Sequence, residues 1–333
     1  MKPVLGILLG EAAGIGPELV AGMCALKKFD DYCRPLIIGD VRVLRWGMKI
    51  AGVDFPVTML EDTSKIEWDG SVNIFDLKNL NIETVALSTI NAESGRATGE
   101  ALLAALDFCK KGIINGFVYA PLNKASLKKG GFDFESEMNM MAHYLGWKDV
   151  YGEMNVINGL WTSRATSHIP FKEVPGKLTI VALLDAMRLA HSTLKKNGYH
   201  DPRIAVAALN PHAGESGSCG TEEIEVITPA INAAKAEGIN VAGPFPADTI
   251  FISAFKGMYD AVTTLYHDQG QIALKLLKFH EGVTVSTGFP YPITTPAHGT
   301  AFDIAGQGIA NIEPMEKAVM IASKMAEWDN TLT

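Results

Sequence analysis

Three observations predict an α/β protein of two lobes. Short β-type apolar runs alternate with longer segments of helical spacing, the pattern of strands and helices layered around a mostly parallel sheet. The chain has 333 residues, beyond the size at which one core usually stops growing. Its composition, 47% hydrophobic and 20% charged, supplies packed interiors and excludes a disordered chain.

The elements follow in order. "VLGILLG" near the start is a short apolar run that meets Glu11, with no small-residue cleavage site after it, so a buried first strand is expected rather than a leader. A helix is expected from near Pro17, because proline suits a first turn. "RPLIIGD" reads as a strand and residues 41–51 as a helix. The Ala/Leu-rich segment 93–112 is helical and leads into the strand-like "INGFVYAPLNK". After a methionine-rich stretch come "MNVINGLW" and "TSRATSHIP", then a long helix through "KLTIVALLDAMRLAHSTLKKNG" with Gly198 as its cap. "RIAVAALNPH", the helix "EEIEVITPAINAAKAEG", "DAVTTLYH" and a closing helix from about Glu313 complete the series.

Bulk charge narrows the partners. The formal net charge is −8 and no basic stripe interleaves with aromatics, so nucleic acid is not expected as a partner. No apolar stretch is long enough to span a bilayer, so no membrane is expected. Cys24, Cys33, Cys109 and Cys219 show no paired spacing, and reduced thiols in a cytoplasmic protein are expected.

Histidine is where chemistry gathers. His143 and His191 fall in helical patterns, and His200 and His280 in polar loops. His168, His212 and His267 each follow a β-type run, in "TSRATSHIP", "RIAVAALNPHAGE" and "DAVTTLYHDQG". In a parallel α/β sheet the C-terminal strand ends meet along one edge, where ligand sites form. Three imidazoles delivered there could hold one divalent metal with positions left open for substrate. A strand-end histidine is also an ordinary residue of a polar loop, and spacing alone leaves both readings standing. Asp248 and Asp268 are candidates for a proton acceptor or a partner that orients a histidine. Lys275 lies two helical turns beyond His267 and could anchor a carboxylate; it is equally placed as a solvated helix lysine. Thr221 is a candidate N-cap, followed by two acids that suit the helix dipole.

The stretch "TPAHGTAFDIAGQGIANIEP" can wrap an adenosine group with backbone and small side chains through His298, Gly299, Thr300, Ala301 and Asp303. It resembles the nucleotide loop of the isocitrate/isopropylmalate dehydrogenase superfamily, and "GEAAGIGPEL", with Gly14, resembles that superfamily's opening turn. Within it the chain most closely resembles the 4-hydroxythreonine-4-phosphate dehydrogenase family, through "GEAAGIGPE", "APLNK", "TSHIP", "LNPHAGESGSCGTEE", "PADT", "YHDQGQIALK" and "HGTAFDIAG" in order. The resemblance implies an isocitrate/isopropylmalate dehydrogenase-like fold of two α/β domains with a cleft between them. The expected boundaries are 1–122 plus 277–333 for the nucleotide side and 123–276 for metal binding and dimerisation. It also implies NAD as oxidant, a homodimer with its site at the subunit interface, and one divalent metal. The family's metal ligands fall on His168, His212 and His267, and its substrate-contacting lysine on Lys275.

Departures from the family fall at substrate positions. Glu135 and Ser136 stand in place of a His-Thr pair, Thr284 in place of an asparagine, and Ile293 in place of an arginine. An arginine fork suits a phosphate, isoleucine cannot replace it, and a glutamate repels one. The expected substrate is therefore a small molecule other than 4-hydroxythreonine 4-phosphate. The expected reaction is NAD- and metal-dependent oxidation of a secondary alcohol on a small hydroxy acid, with or without decarboxylation. Asp248 is the expected base, and zinc, cobalt, nickel or iron suit the imidazoles. Two alternatives remain: a dehydrogenase of a non-phosphorylated carboxylated diol such as an aromatic-acid dihydrodiol, and a metal-dependent hydrolase or lyase without NAD.

Overall fold

A computed structural model describes residues 2–278 and 281–331; His280 lies outside them. Strand β1 (Val4–Leu8) leads to helix α1 (Gly16–Ala25), then β2 (Arg34–Gly39), α2 (Val41–Ala51), β3 (Val57–Leu60) and β4 (Val72–Asp76). Helix α3 (Ala92–Lys110), β5 (Gly116–Tyr119), α4 (Lys124–Lys129) and α5 (Glu137–Leu145) follow. Next come β6 (Gly152–Ile157), β7 (Leu160–Arg164), α6 (Val174–Lys177), α7 (Ile180–Lys196), β8 (Ile204–Ala207), α8 (Thr228–Ala236), β9 (Val241–Phe245) and α9 (Ala247–Phe255). The chain closes through β10 (Ala261–Thr264), α10 (His267–Lys278), β11 (Val283–Thr287), β12 (Ile293–Pro296) and α11 (Glu313–Thr331).

Two compact units emerge, Met1–Lys148 with Phe289–Thr333, and Asp149–Gly288. The boundaries differ from those expected, because residues 123–148 pack on α3. A Cβ at Gly95 would lie 1.8 Å from the Ser126 carbonyl, and one at Gly99 would lie 2.1 Å from the Phe132 ring. Only glycine admits so close an approach.

In the first unit the strands run β3-β4-β2-β1-β5-β12, every neighbour parallel. β1, β2 and β5 read as continuous apolar runs because both faces are covered, and Leu5, Ile7, Leu36, Ile37, Phe117 and Val118 are fully buried. In the second unit the order is β11-β6-β7-β10-β8-β9. Here β11, β6 and β7 pair antiparallel, while β7, β10, β8 and β9 run parallel. Four adjacent strands of this unit therefore end at one edge. Under them, Leu160, Ala205, Ala207, Val262 and the α9 residues Ile250, Phe251 and Ala254 make a packed core.

Candidate active site

The parallel edge of the second unit carries four of the expected residues. His168, His267, His212 and Asp248 stand three to five residues beyond the ends of β7, β10, β8 and β9 at Arg164, Thr264, Ala207 and Phe245. The loop to His168 stays registered on β10, with Ala165 N donating to Thr264 O at 2.9 Å and Thr166 N to Leu265 O at 3.1 Å. The rings of His168 and His267 consequently meet at a centroid distance of 5.4 Å. His267 opens helix α10, and its Nδ1 faces Asp268 Oδ1 at 2.6 Å, which leaves Nε2 as the nitrogen for another partner.

Gln269 ties the edge together. Its Oε1 accepts from Leu265 N at 2.8 Å while its Nε2 donates to Ala208 O at 2.7 Å, so one amide links the end of β10 to the end of β8. The abrupt polar run after "AVTTLY" thus serves in part as a clamp between two strand ends.

His212 is presented by an unusual turn. Five consecutive residues, His212 to Ser216, have positive φ, a left-handed run that L residues rarely adopt beyond single positions. Glu223, 3% exposed, holds it: Oε1 accepts from Leu209 N and Asn210 N, both at 2.8 Å, and Oε2 accepts from Asn210 Nδ2 at 2.9 Å. Thr221 was the expected cap with its two acids facing the helix dipole; instead the second acid turns inward to these amides, and a π-helical turn, Glu223–Ile227, precedes α8. His168 shares the left-handed geometry, at φ 53°. Among the described residues no group of three or more His, Cys, Asp or Glu side chains is close enough to hold a metal ion. The fold brings His168 and His267 together and sets His212 on the same edge outside that pair, carried by its own loop. The donor set still suits a divalent metal: two rings in contact, one with its second nitrogen oriented by a carboxylate, and a third ring on the adjacent strand end.

Asp248 is exposed in the first turn of α9, and Lys275 is exposed on α10. Thr284 on β11 accepts at Oγ1 from Asn155 Nδ2 at 2.9 Å. Ile293 does not face solvent or a pocket. It is fully buried on β12 opposite Phe117, so its side chain fills the core of the first unit rather than a substrate position. In that unit Ser136 caps α5 through Asn139 N at 3.2 Å, and Glu135 is exposed beside it.

The expected nucleotide residues also converge within the first unit. The adjacent ends of β1, β5 and β12 bring "GEAAG", "APLNK" and "HGTAFD" together. Ile15 N donates to Thr300 O at 3.1 Å, Glu11 N to Pro121 O at 2.9 Å, and a Cβ at Gly14 would meet Thr300 O at 2.8 Å. Ala301 has φ 43°, and His298 Nδ1 lies 3.0 Å from Gly299 O. Asp303 is exposed, and its carbonyl accepts from Gln307 Nε2 at 2.9 Å. Two buried carboxylates escaped the sequence reading here. Burial raises the pKa of Glu11, against hydrogen bonds from Ser94, the Ala13 amide and Ser126. Burial also raises that of Glu18, whose two oxygens have no hydrogen-bond partner, although the Gly308 amide nearby opposes the shift.

With this geometry in view, comparison with known proteins is decisive. A family model described as pyridoxal phosphate biosynthetic protein PdxA matches residues 31–322. The chain belongs to this family. A Pseudomonas aeruginosa protein provisionally named 4-hydroxythreonine-4-phosphate dehydrogenase 2 is 42% identical over 326 residues, 97% of either chain. A Halalkalibacterium halodurans protein provisionally named D-threonate 4-phosphate dehydrogenase is 35% identical over 326 residues, 98% of this chain and 97% of its own. The crystal structure of a 4-hydroxythreonine-4-phosphate dehydrogenase from Burkholderia phymatum aligns with TM-score 0.83 and 34% identity, covering 98% of each chain. A β-decarboxylating dehydrogenase from Thermococcus kodakarensis, 14% identical, shares the fold at TM-score 0.50 over 98% of this chain and 84% of its own. This PdxA-family chain therefore has the expected isocitrate/isopropylmalate dehydrogenase-like fold and is a dehydrogenase acting on a CH–OH group.

Proposed function

We propose that this PdxA-family enzyme oxidises the secondary alcohol of a small hydroxy acid, with NAD as oxidant and one divalent metal held by His168, His212 and His267. One observation carries the reading: four adjacent parallel strands end in three imidazoles and a carboxylate, with two of the rings already in contact. When bound, the metal and the nicotinamide supply a Lewis acid for the alcohol oxygen and an acceptor for the hydride. Asp268 fixes the tautomer of His267 by engaging Nδ1. Asp248, exposed in the first turn of α9, takes the hydroxyl proton as the C–H bond gives up its hydride. Lys275 holds the substrate carboxylate and, for a β-keto acid product, stabilises the enolate left by loss of carbon dioxide. Gly14, Gly299, Thr300 and Ala301, with His298 and Asp303, form the adenosine seat. Zinc, cobalt, nickel and iron all suit three imidazoles.

A non-phosphorylated carboxylated diol is the second reading, favoured by the exposed carboxylate at Glu135, which would repel a phosphate. The enzyme works as a homodimer in the cytoplasm. That placement is in keeping with free Cys24, Cys33 and Cys109, and dimerisation with the exposed apolar Ile252, Ile272 and Leu276 of the second unit. The test is a screen of hydroxy acids and diols, phosphorylated and not, for reduced nicotinamide with added metals. Turnover that survives both chelation and His212→Ala would exclude this mechanism.

A further inference from the structure

Beneath α10 the second unit buries a polar cluster that the reaction above does not use. Arg164, at the last position of β7, has a side chain only 4% exposed. Its Nη2 donates to Glu153 Oε1 at 2.7 Å and also to Asn155 Oδ1. Its Nη1 is buried and has no hydrogen-bond partner. Asn155 is the hub: Oδ1 accepts from Arg164 and from Gln271 Nε2, and Nδ2 donates to Thr284. With two donors facing one end and an acceptor hydroxyl facing the other, the orientation of that amide is determined.

The location gives the cluster its meaning. His267, Gln271 and Lys275 are spaced four residues apart on α10, so they form one stripe of its surface. Gln271, the middle member, reaches down to Asn155 and so to Arg164. Arg164 also stands four residues before His168 on the strand that delivers it. The cation thus stands at the end of β7, one amide away from the middle member of that stripe. A native interior seldom leaves a guanidinium donor empty, and a buried orphan at a ligand edge marks a place for an acceptor from outside the chain.

We infer that Arg164 is a specificity-determining residue whose free Nη1 takes an oxyanion of the substrate, carboxylate or phosphate. The inference rests on the dehydrogenase reading for the identity of that substrate, but the anion site can be tested without turnover. Glu153 and Asn155 hold the guanidinium plane still, so the remaining edge is preorganised for a charge-assisted hydrogen bond. Thr284 then acts by buttressing Asn155.

The experiment measures the thermal stabilisation of the full-length protein by inorganic phosphate and by malonate, and KM for any substrate the screen finds. The variants are Arg164→Met and Arg164→Lys, the second keeping the charge beside Glu153. Loss of the anion-induced shift in both variants supports the site. For the lysine variant, a KM raised roughly 10- to 100-fold with kcat nearly unchanged does the same. A response to phosphate alone assigns a phosphorylated substrate, and a response to malonate alone assigns a carboxylate. An unchanged KM, an unchanged shift in Arg164→Lys, or no response of the wild type to either anion overturns the inference. No reduced nicotinamide from any compound, with the Arg164-dependent shift intact, would instead overturn the dehydrogenase mechanism and leave the anion site standing.

Discussion

Glu223 illustrates how single residues set this site without touching its chemistry. Its carboxylate is spent on the amides of Leu209 and Asn210 and on the Asn210 side chain, the anchors of the left-handed turn that carries His212. Glu223→Ala should weaken cobalt binding roughly 10- to 100-fold, as loss of a ligand's support commonly does, and Glu223→Gln should recover part of it. Cobalt titration followed by absorbance decides; equal affinity in both variants would show that the turn stands without the carboxylate. Glu18 gives a pH-dependent case. Burial raises its folded pKa above the ordinary 4.5, so its contribution to stability is present below that value and is lost as pH rises through the folded value. Glu18→Gln, neutral throughout, should melt a few degrees higher than wild type at pH 8, with the gap closing toward pH 4. A gap that widens on acidification would contradict this sign. The thiols offer a third test. Burial pushes the Cys24 thiol up, and the Cys33 and Cys109 thiols up to about 12, whereas Cys219 is partly exposed. Native alkylation should modify Cys219 first and spare the other three until unfolding.

Elements differ in how plainly the sequence announces them, and the reason is burial. β1, β2, β5, β8 and β10 are covered on both faces and read as apolar runs, so their existence and the strand-end histidines after them were legible. β3 is short and half exposed, and β9 is interrupted by Gly243 and Pro244, so neither carries a clear period. Helix α4 is only six residues long, too short for a periodic signal. Its packing on α3 depends on glycines whose role appears only when the partner backbone is in place. That contact makes the element-scale prediction: Gly95→Ala puts a methyl 1.8 Å from the Ser126 carbonyl, and α3 and α4 must separate. The variant should lose about 2–3 kcal/mol in urea unfolding. A loss below half of that would mean that the contact relaxes freely.

At the scale of the molecule, the order of parallel strands explains how residues far apart in sequence come to one edge. No local spacing relates His168, His212, His267 and Asp248; the neighbours β7-β10-β8-β9 do, by ending on one edge. What sequence could not supply was whether the rings meet, since that depends on Gln269 bridging two strand ends and on a turn of reversed hand at His212. It also could not place Ile293, whose departure from the family suggested a changed pocket and whose side chain is core. The Arg164 cluster was hidden for the same reason, because its members come from β6, β7, α10 and β11. The most direct test of the account uses chelator-treated protein supplied with NAD and the best substrate from a hydroxy-acid screen, before and after cobalt or zinc is returned. The prediction is that reduced nicotinamide forms only once metal is restored and that His212→Ala forms none. Reduction at the same rate without metal, or in that variant, would contradict the central claim.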